Sequence, residues 1–139
     1  MVFSIEVNWF PVIVASVVSF IIGWLWYGPL FGKTWMKLNK IDMKNIDANK
    51  KKGMGKMMIL SFIGTLITAS VLYILIGNTG VSGIGEGIML SFWLWLGFLA
   101  STTLLGSVLW DNKPWGLFVL NGAYWFVNLI VISLVLTYF

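Results

Sequence analysis

Residues 115–138 read WGLFVLNGAYWFVNLIVISLVLTY, a run without a single charged side chain. At about 1.5 Å per residue a helix of this length reaches about 36 Å, enough to cross a hydrocarbon core of roughly 30 Å with some tilt. Three more uncharged runs precede it, at residues 10–27, 57–76 and 88–109, and the same rise gives them about 27, 30 and 33 Å. The expectation is an all-α integral membrane protein, one transmembrane domain over residues 1–139 folded as a four-helix bundle on those spans.

Composition agrees. Hydrophobic residues make up 59% of the chain without counting its 15 glycines, and only 10% of residues are charged. A mean hydropathy of +0.91 leaves more apolar surface than a water-soluble monomer of this size can bury, whereas lipid accepts it. All nine basic residues are lysines, and eight lie between Lys33 and Lys56, so the net charge of +4 belongs to one loop. The aromatic residues fall inside the hydrophobic runs rather than among the lysines, which argues against nucleic acid as a partner.

The same asymmetry sets an orientation. The lysine-rich loop between the first two spans is expected in the cytoplasm, joined there by the Asp111–Pro114 turn with Lys113, while the 77–87 loop carries only Glu86. Both termini then face outward, as a multi-pass protein of the cell membrane. Before the first span stands Glu6 with no lysine or arginine, and no small-x-small cleavage site comes after it, so that span is expected to be retained rather than cleaved. Trp9, Trp26, Tyr27, Trp35, Trp110, Trp115 and Tyr138 sit near span ends, where amphipathic rings anchor helices at the interface.

Cysteine and histidine are absent, which removes disulfides, thiolate nucleophiles, imidazole bases and the common ligands of zinc, copper and iron. No cofactor is expected, and no enzyme: acid–base chemistry would rest on Asp, Glu, Lys or Tyr at the interfaces. No ionisable group lies deep in a span, so the sequence lacks the charged coupling site of an energised transporter. Glu6 and Glu86 form at most an acidic outer rim.

Within the spans, Ala15, Ser19 and Gly23 recur every four residues, as do Ser61, Thr65 and Ala69, and Gly97 and Ser101. Such strips let helices approach closely. Asn121, Tyr124 and Asn128 lie at i, i+3 and i+7 on the last span, a polar stripe that must find partners in the bundle. Ser101, Thr102 and Thr103 on the third span are the expected partners, since spans three and four form a tight antiparallel hairpin. Pro114 suits the first turn of the last helix, with Asp111 or Asn112 capping it. The glycines at 77, 80, 83, 85 and 87 predict a mobile link on the opposite side. Lysines 50, 51, 52 and 56 before the second span suit an anionic lipid headgroup, and Trp35, Leu38, Ile41 and Ile46 suggest a short interfacial helix.

Asn8-Trp9, the segment WYGPLFGKTW from Trp26 to Trp35, WLGFLASTTLLGSVLW from Trp95 to Trp110, and Pro114-Trp115 with LFVLNGAYW from Leu117 to Trp125 together resemble an uncharacterised family of small, mostly bacterial membrane proteins catalogued as domain of unknown function 1761. The resemblance runs nearly end to end and implies four spans and, in bacteria, the inner membrane; it supplies no activity. In that pattern an acid, a glycine and an arginine precede Pro-Trp, where this chain has Asp111, Asn112 and Lys113, so the guanidinium fork is missing. The resemblance directs attention to Gly28, Pro29, Gly32, Lys33, Trp35, Asp111, Lys113, Pro114 and Trp115 at the cytoplasmic face. There Gly28 and Pro29 would end the first helix, Gly32 would allow a turn, and Lys33 would pair with Asp111 as a clasp.

Two functions compete. In the first, the bundle associates with itself or with another membrane protein, and the polar stripe is interhelical glue. In the second, a homo-oligomer forms a passive channel or carrier for a small solute along Asn121, Asn128 and the 101–103 cluster. A conduit needs these side chains to face a shared axis, whereas glue needs them paired and dry.

Overall fold

The computed structural model describes residues 4–38 and 54–139, and the regular elements among them are all helical. Helix α1 (Trp9–Leu25) starts where the Asn8 side-chain oxygen accepts the Phe10 N–H at 3.3 Å, satisfying one of the free donors of a first turn. The helix does not stop at Tyr27. It continues through a wide π-helical turn, Trp26–Leu30, that takes in Pro29 and closes with the Phe31 N–H on the Trp26 carbonyl at 2.8 Å. Proline has no N–H to donate, and the wider turn carries the chain past that gap. The chain then bends at Phe31 into α2 (Gly32–Leu38). A Cβ at Gly32 would lie 2.7 Å from the Tyr27 carbonyl oxygen, so the bend admits only glycine. Of the expected interfacial helix, Trp35 and Leu38 belong to α2; Ile41, Ile46 and lysines 50–52 lie outside the described residues.

Helix α3 (Met54–Asn78) leads through a short link to α4 (Ile84–Leu94), and α5 (Trp115–Tyr138) comes last in the element order. Beyond Leu94, α4 runs on to Trp110 through two π-helical stretches, Trp95–Ala100 and Leu104–Trp110, separated by Ser101–Thr103. Four helical segments are long and apolar enough to cross a membrane: Trp9–Leu30, Gly55–Asn78, Ile84–Trp110 and Trp115–Tyr138. The first overruns its predicted stretch because the π turn carries it past Gly28 and Pro29, and the next two because a helix passes through Lys56 or Glu86 without interruption.

The link between α3 and α4 is more compact than a five-glycine loop. Gly77 belongs to α3, and Gly85 and Gly87 to α4. Gly80 and Gly83 alone among these take positive φ, at 73° and 106°. Glu86 ties the link down, its carboxylate accepting the Ser82 N–H at 2.6 Å and the Ser82 hydroxyl at 3.2 Å. On the same side Ser4 and Asn78 exchange two hydrogen bonds of 2.8 and 2.7 Å, fastening the N-terminal segment to the end of α3.

Helix α1 packs antiparallel on α3 and on α5, and α5 packs antiparallel on α4. Val12, Ala15, Ala69, Leu72, Leu129, Ile132 and Leu136 form the core where α1, α3 and α5 meet. Helix α4 lies on the far side of α5, and among the described residues it shares no extensive contact with α3. The expected bundle is thus a three-helix core with a fourth helix laid against one member.

In the turn before α5, Asn112 takes φ 55°. The glycine expected there from the resemblance falls at this left-handed position, which asparagine tolerates better than most residues. No side chain of Asp111 or Asn112 caps α5; the Pro114 carbonyl accepts the Leu117 N–H at 3.0 Å instead.

Candidate functional site

The polar stripe of α5 faces α1 rather than α4. Asn128, almost wholly buried, accepts a hydrogen bond on its side-chain oxygen from the hydroxyl of Ser19, also buried. Two turns away, the Tyr27 hydroxyl donates to the Asn121 side-chain oxygen at 2.6 Å. Between these rungs the Tyr124 ring meets Tyr27 edge-on at 5.0 Å, with its hydroxyl over Gly23. A Cβ at residue 23 would lie 2.8 Å from that oxygen. The small strip of α1 and the polar stripe of α5 therefore read each other. Ser19 and Tyr27 were visible in the sequence as a packing residue and an anchor; their antiparallel match to the two asparagines carried the missing signal.

Ser101, Thr102 and Thr103 are not partners of that stripe. Ser101 and Thr102 are exposed, and their hydroxyls turn back on the Gly97 and Phe98 carbonyls at 2.7 and 2.5 Å, a self-satisfied arrangement that needs no second helix. The wide turns of α4 explain their direction. An unbroken α-helix continued from Ser91 would bring Phe98, Thr102 and Leu105 onto α5, but each π turn takes in an additional residue and rotates the rest of the helix about its axis. Ala100 and Val108 are buried instead, while Phe98 and Leu105 are exposed. The upper half of α4 is joined to α5 through Ser91, whose hydroxyl donates to the Leu129 carbonyl at 3.3 Å, and Trp95, whose Nε1 donates to the Gly122 carbonyl at 2.8 Å.

The clasp is built differently from an ion pair. Lys33, Asp111, Lys113, Pro114 and Trp115 are all exposed, as are Gly28 and Pro29, and among the described residues Lys33 and Asp111 form no salt bridge. Apolar contacts hold this end together. Leu38 of α2 sits where a Cβ of Gly116 would meet it at 3.1 Å. Trp35 meets Tyr27 edge-on at 6.2 Å, and Trp26 packs on Phe31 at 4.6 Å. Two lysines and an aspartate in water gain little from pairing, whereas buried aromatic and leucine surface gains directly.

Below the core α3 departs from α1 and α5, leaving an open groove of about 640 Å³ bordered by Trp24, Tyr27, Tyr124, Met57, Ser61 and Thr65, among others. Thr65 and Thr68 return their hydroxyls to the Ser61 and Gly64 carbonyls at 2.9 and 3.1 Å. Among the described residues the Tyr124 and Ser61 hydroxyls have no hydrogen-bond partner. The sequence showed these residues only as separate packing strips, because the groove arises from the divergence of α3.

No curated protein and no solved structure matches the chain. A family model described as protein of unknown function (DUF1761) matches residues 10–137, covering the Trp26–Trp35 bend, the wide-turned half of α4 and the asparagine stripe of α5. The chain therefore belongs to the DUF1761 family.

Proposed function

We propose that this chain is a non-enzymatic integral membrane protein of the cell membrane, in bacteria the inner membrane, that works by association with copies of itself or with a partner membrane protein. Its lysine-rich loop lies in the cytoplasm and its termini outside, as the charge asymmetry favours. The observation that carries this reading is the outward face of α4. Few of its residues are buried within the chain, yet Gly97 and Ser101, one turn apart, are exposed there, with nothing near enough to touch a Cβ at residue 97. Lipid alone gives no reason for such a notch, whereas a second helix packs closely against one. The pairing of Asn121 and Asn128 within the chain speaks for glue over a solute path.

Native mass spectrometry from mild detergent, with cross-linking in membranes, tests the proposal. The wild-type chain is expected as a defined oligomer or a complex with another membrane protein, and Gly97→Leu as a folded monomer. A wild-type monomer in both experiments would sink the association role.

A further inference from the structure

From the groove between α1, α3 and α5 we infer a binding site for one anionic glycerophospholipid. The inference rests on the membrane reading but on neither self-association nor a protein partner. The groove is open on one side, and at about 640 Å³ it has room for part of a lipid rather than a whole one. Its walls are what an acyl chain and its linkage ask for: Trp24 and Met57 supply adaptable apolar surface. The unpartnered hydroxyls of Tyr124 and Ser61 supply donors for an ester carbonyl. Hydroxyls facing hydrocarbon without acceptors are costly, and a bound ester relieves that cost.

Charge selects the headgroup. The groove opens at the end of the molecule where α1 leaves for α2 and α3 begins. Lys33, Lys37, Lys56 and Lys113 are all exposed there, against a single described acid, Asp111. Lys56 directly precedes Met57 of the groove wall. A phosphate held at this level sits among ammonium groups that attract it. Zwitterionic lipid lacks the net charge to profit equally.

The experiment is native mass spectrometry of the full chain from nanodiscs of phosphatidylcholine and phosphatidylglycerol in equal amounts, counting lipid retained after gentle activation. Wild type is expected to keep one phosphatidylglycerol in preference to phosphatidylcholine. Gly64→Phe should lose it, because nothing lies within 4 Å of a Cβ at residue 64, so the ring fills the groove without displacing packed atoms. Tyr124→Phe keeps the ring and should weaken retention, and Lys56→Gln should reduce the preference. Met89→Phe, on an exposed face of α4 away from the groove, should behave as wild type. Equal retention of the two lipids, or undiminished phosphatidylglycerol in both Gly64→Phe and Tyr124→Phe, would overturn the assignment.

Discussion

Asn121 and Asn128 show what a buried carboxamide needs. Each accepts from a hydroxyl on α1, and removing a single partner leaves a polar atom stranded in an apolar interface. The two rungs differ in a useful way: Ser19 and Asn128 are fully enclosed, while Tyr27 and Asn121 are half-buried. The outer rung is the better one to dissect. In a double-mutant cycle of Tyr27→Phe and Asn121→Leu, monitored by detergent-driven unfolding, the pair is expected to couple by about 1 kcal/mol, the scale found for hydrogen bonds between membrane helices. Additive single effects would show that the bond contributes nothing. In the sequence the stripe was plain from its spacing, and the need for partners came from burial alone. The choice of partner was not plain, because hydroxyl residues stood on all three other spans and only the packing decides among them.

Among the elements, α4 departs most from the ideal. Its hydrophobicity announced a long helix, and its hairpin with α5 was implied by the short turn, but the π-helical stretches left no mark that a 3.6-residue period could register. That is why Ser101–Thr103 were expected to face the stripe, whereas Ser101 and Thr102 are found outside and Thr103 is half-buried away from it. The turn after α4 makes a sharper point. Asn112 holds φ 55°, a conformation that costs a β-branched residue about 1 to 2 kcal/mol. Asn112→Val is expected to lower stability by that amount in thermal unfolding, and Asn112→Gly to leave it unchanged or raise it. Equal stability of all three proteins would mean that the turn relaxes to another conformation.

For the whole molecule, the antiparallel order of four helices puts the Ser82 link and the Lys113 turn at opposite ends. The chain has no cysteine, so one can be introduced as a clean reporter. With the lysine-rich end in the cytoplasm, Ser82→Cys should react with a membrane-impermeant maleimide on intact cells, and Lys113→Cys only after the membrane is opened. The reverse pattern would invert the proposed orientation. Helix number, span positions and charge asymmetry were legible because each depends on composition along one stretch. The groove was not, since it exists only where α3 parts from its neighbours.

The central place of α5 also governs how the protein is made. Helices α1 and α4 have no extensive contact with each other, and each lays its tightest face on α5: Ser19 and Gly23 from one, Gly87 and Ser91 from the other. Of the four long helices, α5 is the last to leave the ribosome. Until it arrives, α1 and α3 can pack on each other, but Ser19 and Gly23 of α1 face an unfilled slot and α4 has no extensive neighbour at all. A stop codon before residue 115 would do more than shorten the protein; it would leave α4 without its partner and the α1–α3 pair without the helix that completes its core.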